Sequence, residues 1–353
     1  MEKIFLLKAL NLAKIRKGFT SPNPAVGAIV VKNNTVIGSG HHWAVGHPHA
    51  EQEVLTQLAG KAEGAELYVT LEPCCHWGKT PPCTDLIKKY KIAKVYFGFC
   101  DPNPQVAGRS SMILANAGIQ SIHVPIPEID RFYRSYYYHL KHRRPWVTAK
   151  LAISLDGKIA GQNGMPVKLT NSAINKITHA KRLSADAILT TAKTVNMDNP
   201  QLNVRLGQKQ VAKPIYMLDS QLSLKDHLQI YQTAAQITLF HSKTANINRR
   251  EQLTRRGIQC VEIAEDKQGL RLSEALYYIG KEGKQELWVE AGSQCLQSLL
   301  QHNLVNNVVL YIANKQLGED AYPACLEQNE LLAKSKSCQW QQIDSDLMCE
   351  IDY

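Results

Sequence analysis

The chain has 353 residues, 44% of them hydrophobic and 20% charged, with a formal net charge of +10. That length favours two domains over a single core. No apolar run approaches the ~20 residues that cross a bilayer, which excludes a helical membrane protein. The N-terminal residues 1–8 lack a secretory cleavage pattern, so the expected location is cytoplasmic.

The charge is unevenly held, with 18 Lys/Arg against 10 Asp/Glu in residues 1–144 and 23 against 21 thereafter. This bias favours an anionic partner, either nucleic acid or a phosphorylated small molecule. Aromatic residues make up only 7%, and no Lys/Arg stripe alternates with them, which weighs against nucleic acid. Of nine cysteines, Cys100, Cys260, Cys295, Cys325, Cys338 and Cys349 are scattered. They read as small hydrophobes in a reducing compartment.

In chain order, residues 2–16 place Ile4, Leu7, Ala9, Leu12 and Ala13 at helical spacing. Residues 26–31 form the continuous apolar run of a buried strand. Helices are expected at 50–58, 84–90 and 112–117, and strands at 66–70, 94–98 and 120–124. Pro125 and Pro127 break the pattern before a helix at 128–141. Such alternation implies an α/β layer structure. His142-Arg143-Arg144-Pro145 reads as a linker, giving domains at 1–144 and 145–353. The second domain should hold strands at 146–153, 187–190, 215–218, 237–240, 286–289 and 308–312, with helices at 272–279 and 293–302. Residues 194–205 read as a polar loop.

Chemistry concentrates between His49 and Cys83. His49-Ala50-Glu51, Pro73-Cys74-Cys75-His76 and Pro82-Cys83 supply one imidazole, two thiols preceded by proline, and a free carboxylate. Three protein ligands leave a fourth tetrahedral position for water, as in catalytic zinc sites. Glu51 is then free to carry protons, the arrangement of zinc deaminases. A helix opening at His49 lets His49 and Glu51 converge only at its N-terminus. Cys83 takes the equivalent place before the next helix, where a thiol pKa is lowered. Cys74 follows a strand end. A structural site with His76 or Cys75 as fourth ligand stays open, but it leaves Glu51 without a role.

Zinc deaminases of tRNA adenosine and of free cytosine carry Pro-Cys-x-x-Cys, whereas Cys-His-Trp-Gly-Lys-Thr-Pro-Pro separates Cys74 from Cys83 here. Three further sets of motifs accompany that long spacing: Pro22-Asn23-Pro24 with Val26-Gly27, Gly40-His41-His42 with Gly46, and Asp101-Pro102-Asn103-Pro104 with Gly108-Arg109. Together they resemble the bifunctional riboflavin biosynthesis family, the diaminohydroxyphosphoribosylaminopyrimidine deaminases/5-amino-6-(5-phosphoribosylamino)uracil reductases, over essentially the whole chain. The resemblance implies a cytidine-deaminase-like three-layer α/β domain followed by a dihydrofolate-reductase-like α/β domain. It implies His49, Cys74 and Cys83 as ligands of Zn2+ and Glu51 as proton shuttle. Asn23, His42, His76, Lys79 and Asn103 fall where that family holds the pyrimidine and its ribose phosphate. Lys79 stands for a usual arginine, Cys75 for serine, Trp77 for tyrosine and Ser110 for glycine.

In the second half no Gly-x-Gly-x-x-Gly or Walker loop occurs. Asp156-Gly157 signals a turn after the strand at 146–153, and Gly292-Ser293 opens a helix whose N-terminus suits phosphate. By the same resemblance Asp198 lies at the hydride-transfer site, and Arg182, Leu202, Arg205 and Glu290 contact substrate. Ala152, Lys168, Thr194, Asp198, Ser220 and the turn Gly292, Ser293, Gln294, Cys295, Leu296, Gln297 and Ser298 contact NADPH. Lys168 replaces a usual tryptophan and Ala291 a usual glycine.

The expected activity is hydrolytic deamination of 2,5-diamino-6-(5-phosphoribosylamino)pyrimidin-4(3H)-one, then NADPH reduction of the ribosyl chain. The expected partner is this phosphoribosyl pyrimidine, without nucleic acid or membrane, in a homo-oligomer (dimer or tetramer). From the residues alone, a nucleic-acid deaminase, a non-catalytic zinc-stabilised module and a deaminase with a silent second half stay open.

Overall fold

The computed structural model describes residues 1–78, 81–324 and 328–353. They divide into two compact units, Met1–Arg143 and Arg144–Tyr353.

The first unit runs α1 (Glu2–Arg16), β1 (Gly27–Lys32), β2 (Thr35–His41), α2 (Ala50–Leu58), β3 (Glu66–Val69), α3 (Cys83–Lys89), β4 (Lys94–Phe97), α4 (Arg109–Asn116), β5 (Gln120–His123) and α5 (Pro127–His142). Its sheet has the order β2-β1-β3-β4-β5. β1 pairs antiparallel with β2 and β3, and the β3-β4-β5 pairs are parallel. Side chains alternate across β1. Ala28 and Val30 pack with α2, α3 and α4, while Ile29 and Val31 pack with α1 and α5. Helices therefore cover both faces in three layers. Gly27 is required where α1 crosses β1, because a Cβ there would stand 2.1 Å from the Ala9 carbonyl oxygen. Unexpected from the sequence is β2, an edge strand with one buried residue. The turn Asn33-Asn34, with both φ positive, leads into it.

The second unit is built on a nine-stranded sheet. In spatial order its first seven strands are Gln259–Glu262, Gln236–His241, Pro214–Leu218, Ala187–Thr191, Glu286–Glu290, Trp146–Ser154 and Asn307–Ala313. All six pairings among these are parallel. Asp346–Asp352 and Ser337–Ile343 extend the sheet antiparallel. Separate apolar clusters cover its two faces, one around Leu276, Leu299 and Val308, the other around Ile188, Trp288 and Tyr311. The expected polar loop at 194–205 is corrected. Ala192–Asp198 is a helix whose Thr191 cap accepts the Thr194 N–H, and Val204–Leu206 is a short strand. Among the described residues, no helix is long and apolar enough to cross a membrane.

Candidate active sites

His49 is the N-cap of α2, Cys83 the first residue of α3, and Cys74 lies in the segment after β3. The two helix starts and this segment meet. His49 Nδ1 is 3.5 Å from Cys74 Sγ and 3.4 Å from Cys83 Sγ, and the Cys83 N–H donates to Cys74 Sγ at 3.3 Å. Ligand atoms of all three lie within 4.8 Å of one another. Tetrahedral zinc with ordinary Zn–N and Zn–S bonds requires N···S separations of about 3.6 Å. The trio fits the ion.

Electrostatics agree. Hydrogen bonds from Cys83 and His49 pull the Cys74 thiol pKa down, and the bond to Cys74 raises His49. Cys83, buried beside that negative sulfur, is pushed up, a conflict that a cation between the thiols relieves. Glu51, 4% exposed, follows one residue into α2. Burial, and then the Cys74 charge, raise its carboxyl to about 7.

A cavity of about 310 Å³ opens over these groups, lined by Asn23, His42, His49, Glu51, Glu72, Cys74, His76 and Asn103 among others. His42 is buried between Pro48 and Asn23. Its Nδ1 is 3.0 Å from the Pro48 carbonyl, which only accepts, and its Nε2 is 3.1 Å from the Asn23 amide nitrogen, which only donates. Those partners select the neutral ring, and burial lowers its pKa accordingly. His76 Nδ1 is buried at the cavity wall without a partner among the described residues. Lys79 lies outside the described residues. Sequence reasoning missed Glu72, whose signal was an acidic residue in the apolar context Leu71-Glu72-Pro73.

In the second unit charged groups gather around Glu290. Arg182 donates through Nε and Nη2 to both Glu290 oxygens at 2.5 and 2.9 Å, and through Nη1 to the Asn203 carbonyl at 2.9 Å. Trp288 Nε1 donates to Glu290 at 2.7 Å. Burial alone would raise the Glu290 carboxyl, but Arg182 and Lys150 outweigh it and hold it at about 2. Lys150 pairs in register with Glu290 on the adjacent strand. Burial lowers its pKa, against the charges of Glu290 and Asp198. Asp198 ends its short helix, and burial around its carboxyl raises its pKa against Lys150. Sequence reasoning also missed Lys150, hidden in what reads as an apolar strand. Arg205 is exposed, its guanidinium on Gln201 and Asn203 and its N–H on His179 Nδ1.

The Leu202 side chain is 3% exposed and packs in the core, so a substrate contact there falls to its backbone. Cys295 and Leu296 likewise turn their side chains into the opposite apolar cluster. Gly292 caps the helix Ser293–Gln301, with Gln294 exposed and Gln297 and Ser298 half-buried. Thr194 and Ser220 lie just beyond the parallel strands Ala187–Thr191 and Pro214–Leu218, and Gly292 just beyond Glu286–Glu290. All three therefore gather at one carboxyl edge, where open α/β sheets bind ligands. Ala152 is half-buried in Trp146–Ser154, and Lys168 is exposed with its carbonyl taken by Lys315.

Comparison with known proteins follows this division. Residues 1–99 match the model of the cytidine and deoxycytidylate deaminase zinc-binding region, and residues 145–349 match that of the RibD C-terminal domain. The riboflavin biosynthesis protein RibD of Aquifex aeolicus is 36% identical over 90% of this chain and 88% of its own length. That of Escherichia coli is 34% identical over 97% and 96%. The chain belongs to the RibD family. It is a bifunctional deaminase and reductase of riboflavin biosynthesis, with zinc and NADPH as its cofactors. Two solved structures share the whole architecture. Acinetobacter baumannii RibD superposes with TM-score 0.87 at 30% identity, covering 99% of this chain and 98% of that one. A diaminohydroxyphosphoribosylaminopyrimidine deaminase/5-amino-6-(5-phosphoribosylamino)uracil reductase from Thermotoga maritima gives 0.86 at the same identity and coverage.

Proposed function

We propose that residues 1–144 deaminate 2,5-diamino-6-(5-phosphoribosylamino)pyrimidin-4(3H)-one and that residues 145–353 reduce the ribosyl chain of the product. The observation that carries this reading is the convergence of His49, Cys74 and Cys83 with the buried Glu51 on one cavity. Zinc held by that trio supplies Lewis acidity and a water activated near neutral pH. Glu51, with its pKa near 7, takes the proton from the attacking water and delivers it to the leaving amino nitrogen. Asn23, His42, His76 and Asn103 hold the pyrimidine and its ribose phosphate in the cavity.

In the second unit NADPH supplies the hydride. Thr194, Ser220 and the Gly292–Ser293 turn would hold the cofactor at the carboxyl edge of the sheet, the turn's backbone N–H groups suiting an anionic group. Asp198 orients the substrate or handles its proton beside Lys150. Three Arg182 N–H groups are already on Glu290 and Asn203, so Arg182 sets the Glu290 carboxylate, and the exposed Arg205 receives the phosphate. A cytoplasmic location and a homo-oligomeric state, dimer or tetramer, complete the proposal.

Ammonia release and single-turnover NADPH oxidation, the latter started from the deaminated intermediate, separate the two halves. Glu51→Ala should keep zinc and lose ammonia release, typically by 10²–10⁴-fold for a proton-transfer group. Asp198→Ala should spare ammonia release and slow NADPH oxidation. Full ammonia turnover by the first variant, or an unchanged reductase rate in the second, overturns the corresponding assignment.

A further inference from the structure

Glu72 sits two residues before Cys74, 3% exposed, and takes no part in the chemistry described above. Its carboxylate reaches across to the segment that begins with Asp101. It accepts the Asp101 N–H at 3.3 Å, the Gly108 N–H at 3.0 and 3.3 Å, and the Ser110 hydroxyl at 2.5 Å. One buried side chain therefore ties both ends of the 101–110 segment, and Asn103 stands between them at the cavity wall. Two further bonds close the loop. Tyr136 Oη donates to Asp101 Oδ1 at 3.0 Å, and the Cys75 thiol donates to the Gln105 carbonyl at 3.4 Å.

We propose that Glu72 and Ser110 form a clasp that positions Asn103 for the pyrimidine substrate. Ser110 is thus a positioning residue. Ser110 is fully buried at the start of α4, and its hydroxyl supplies the shortest of the Glu72 bonds. Glycine there would leave the carboxylate with backbone donors only. Losing a hydrogen bond to a buried charged group is worth about a factor of ten in an equilibrium. The loop would then populate geometries in which Asn103 is withdrawn, which weakens substrate binding while the metal and Glu51 stay in place.

The inference rests on Asn103 contacting substrate, so Asn103→Ala is the reference variant. In the full zinc-loaded chain, Ser110→Ala should raise the deaminase KM about tenfold with kcat nearly unchanged. Zinc content and the NADPH oxidation rate should equal those of the parent. Amide exchange at Asp101 and Gly108 should quicken, and Ser110→Thr, which restores a hydroxyl, should recover most of the affinity. If Asn103→Ala raises KM but Ser110→Ala does not, the clasp is refuted and the substrate reading stands. If Asn103→Ala leaves KM unchanged, the substrate reading itself fails. Loss of zinc in Ser110→Ala also overturns the proposal, because the Glu72 segment would then serve the metal and not the loop.

Discussion

In the first unit three donors from two helix starts and a post-strand segment converge within 4.8 Å, leaving a conflict between buried thiols that a cation resolves. In the second unit the buried charges resolve one another. Arg182 binds Glu290 at both oxygens, each side chain only 11% exposed, and Lys150 and Asp198 oppose each other nearby. The first site therefore depends on a ligand for its electrostatic balance, and the second is largely balanced before any ligand arrives. Pre-balanced charge favours rigid orientation, whereas a metal-dependent set couples occupancy to stability.

Metal removal should break the symmetry most. Chelation should abolish ammonia release and lower amide protection around residues 49–51 and 83–89, leaving NADPH oxidation at its starting rate. Protection that is lost equally in residues 146–353 would contradict the independence of the second site.

Next in size is the ion pair. Glu290→Ala leaves Arg182 and Lys150 without their counter-charge, and should cost about 3–5 kcal/mol in urea unfolding of the second unit. The parent's pH dependence carries the same information. The folded Glu290 carboxyl, at about 2, lies below its ordinary 4.5, so the unfolded chain binds the proton more readily. Stability from this pair is present above pH 4.5 and is lost as pH falls toward 2. Glu290→Ala should flatten that part of the acid limb, and an unchanged limb would mean that other carboxylates dominate it.

The two sites also differed in how far the sequence revealed them. Zinc restricts its ligands to few residue types, and both helix starts were readable, so His49, Glu51, Cys74 and Cys83 stood out together. No such restriction marks Lys150, which sits in a strand of otherwise apolar and small residues and meets Glu290 only through a parallel pairing. Leu202, Cys295 and Leu296 were placed by the family resemblance alone, and apolar burial turns their side chains inward. Most strands of the five-stranded and nine-stranded sheets were legible as apolar runs. Thr35–His41 and Ser337–Ile343 were not, because edge strands exposed along most of their length carry no such run. The helix Ser172–Ser184 escaped for a related reason, with only Ile174 and Thr178 buried.

That helix offers the smallest and most direct comparison with α2. His49 and Asn171 occupy N-cap positions with nearly the same backbone, φ −69° and ψ 162° against φ −70° and ψ 176°. Asn171 accepts the Ile174 N–H at 2.9 Å, and its amide also donates to the Ile343 carbonyl at 2.8 Å. His49 makes no side-chain cap bond because its imidazole faces the two thiols. One side chain cannot both cap a helix and ligate an ion, so the first unit gives up a cap where the second keeps one. Asn171→Ala should therefore cost about 1–2 kcal/mol, and Asn171→Ser, which keeps the cap but not the bond to Ile343, roughly half of that. Equal losses in the two variants would mean that the bond to Ile343, not the cap, secures the helix that carries Arg182.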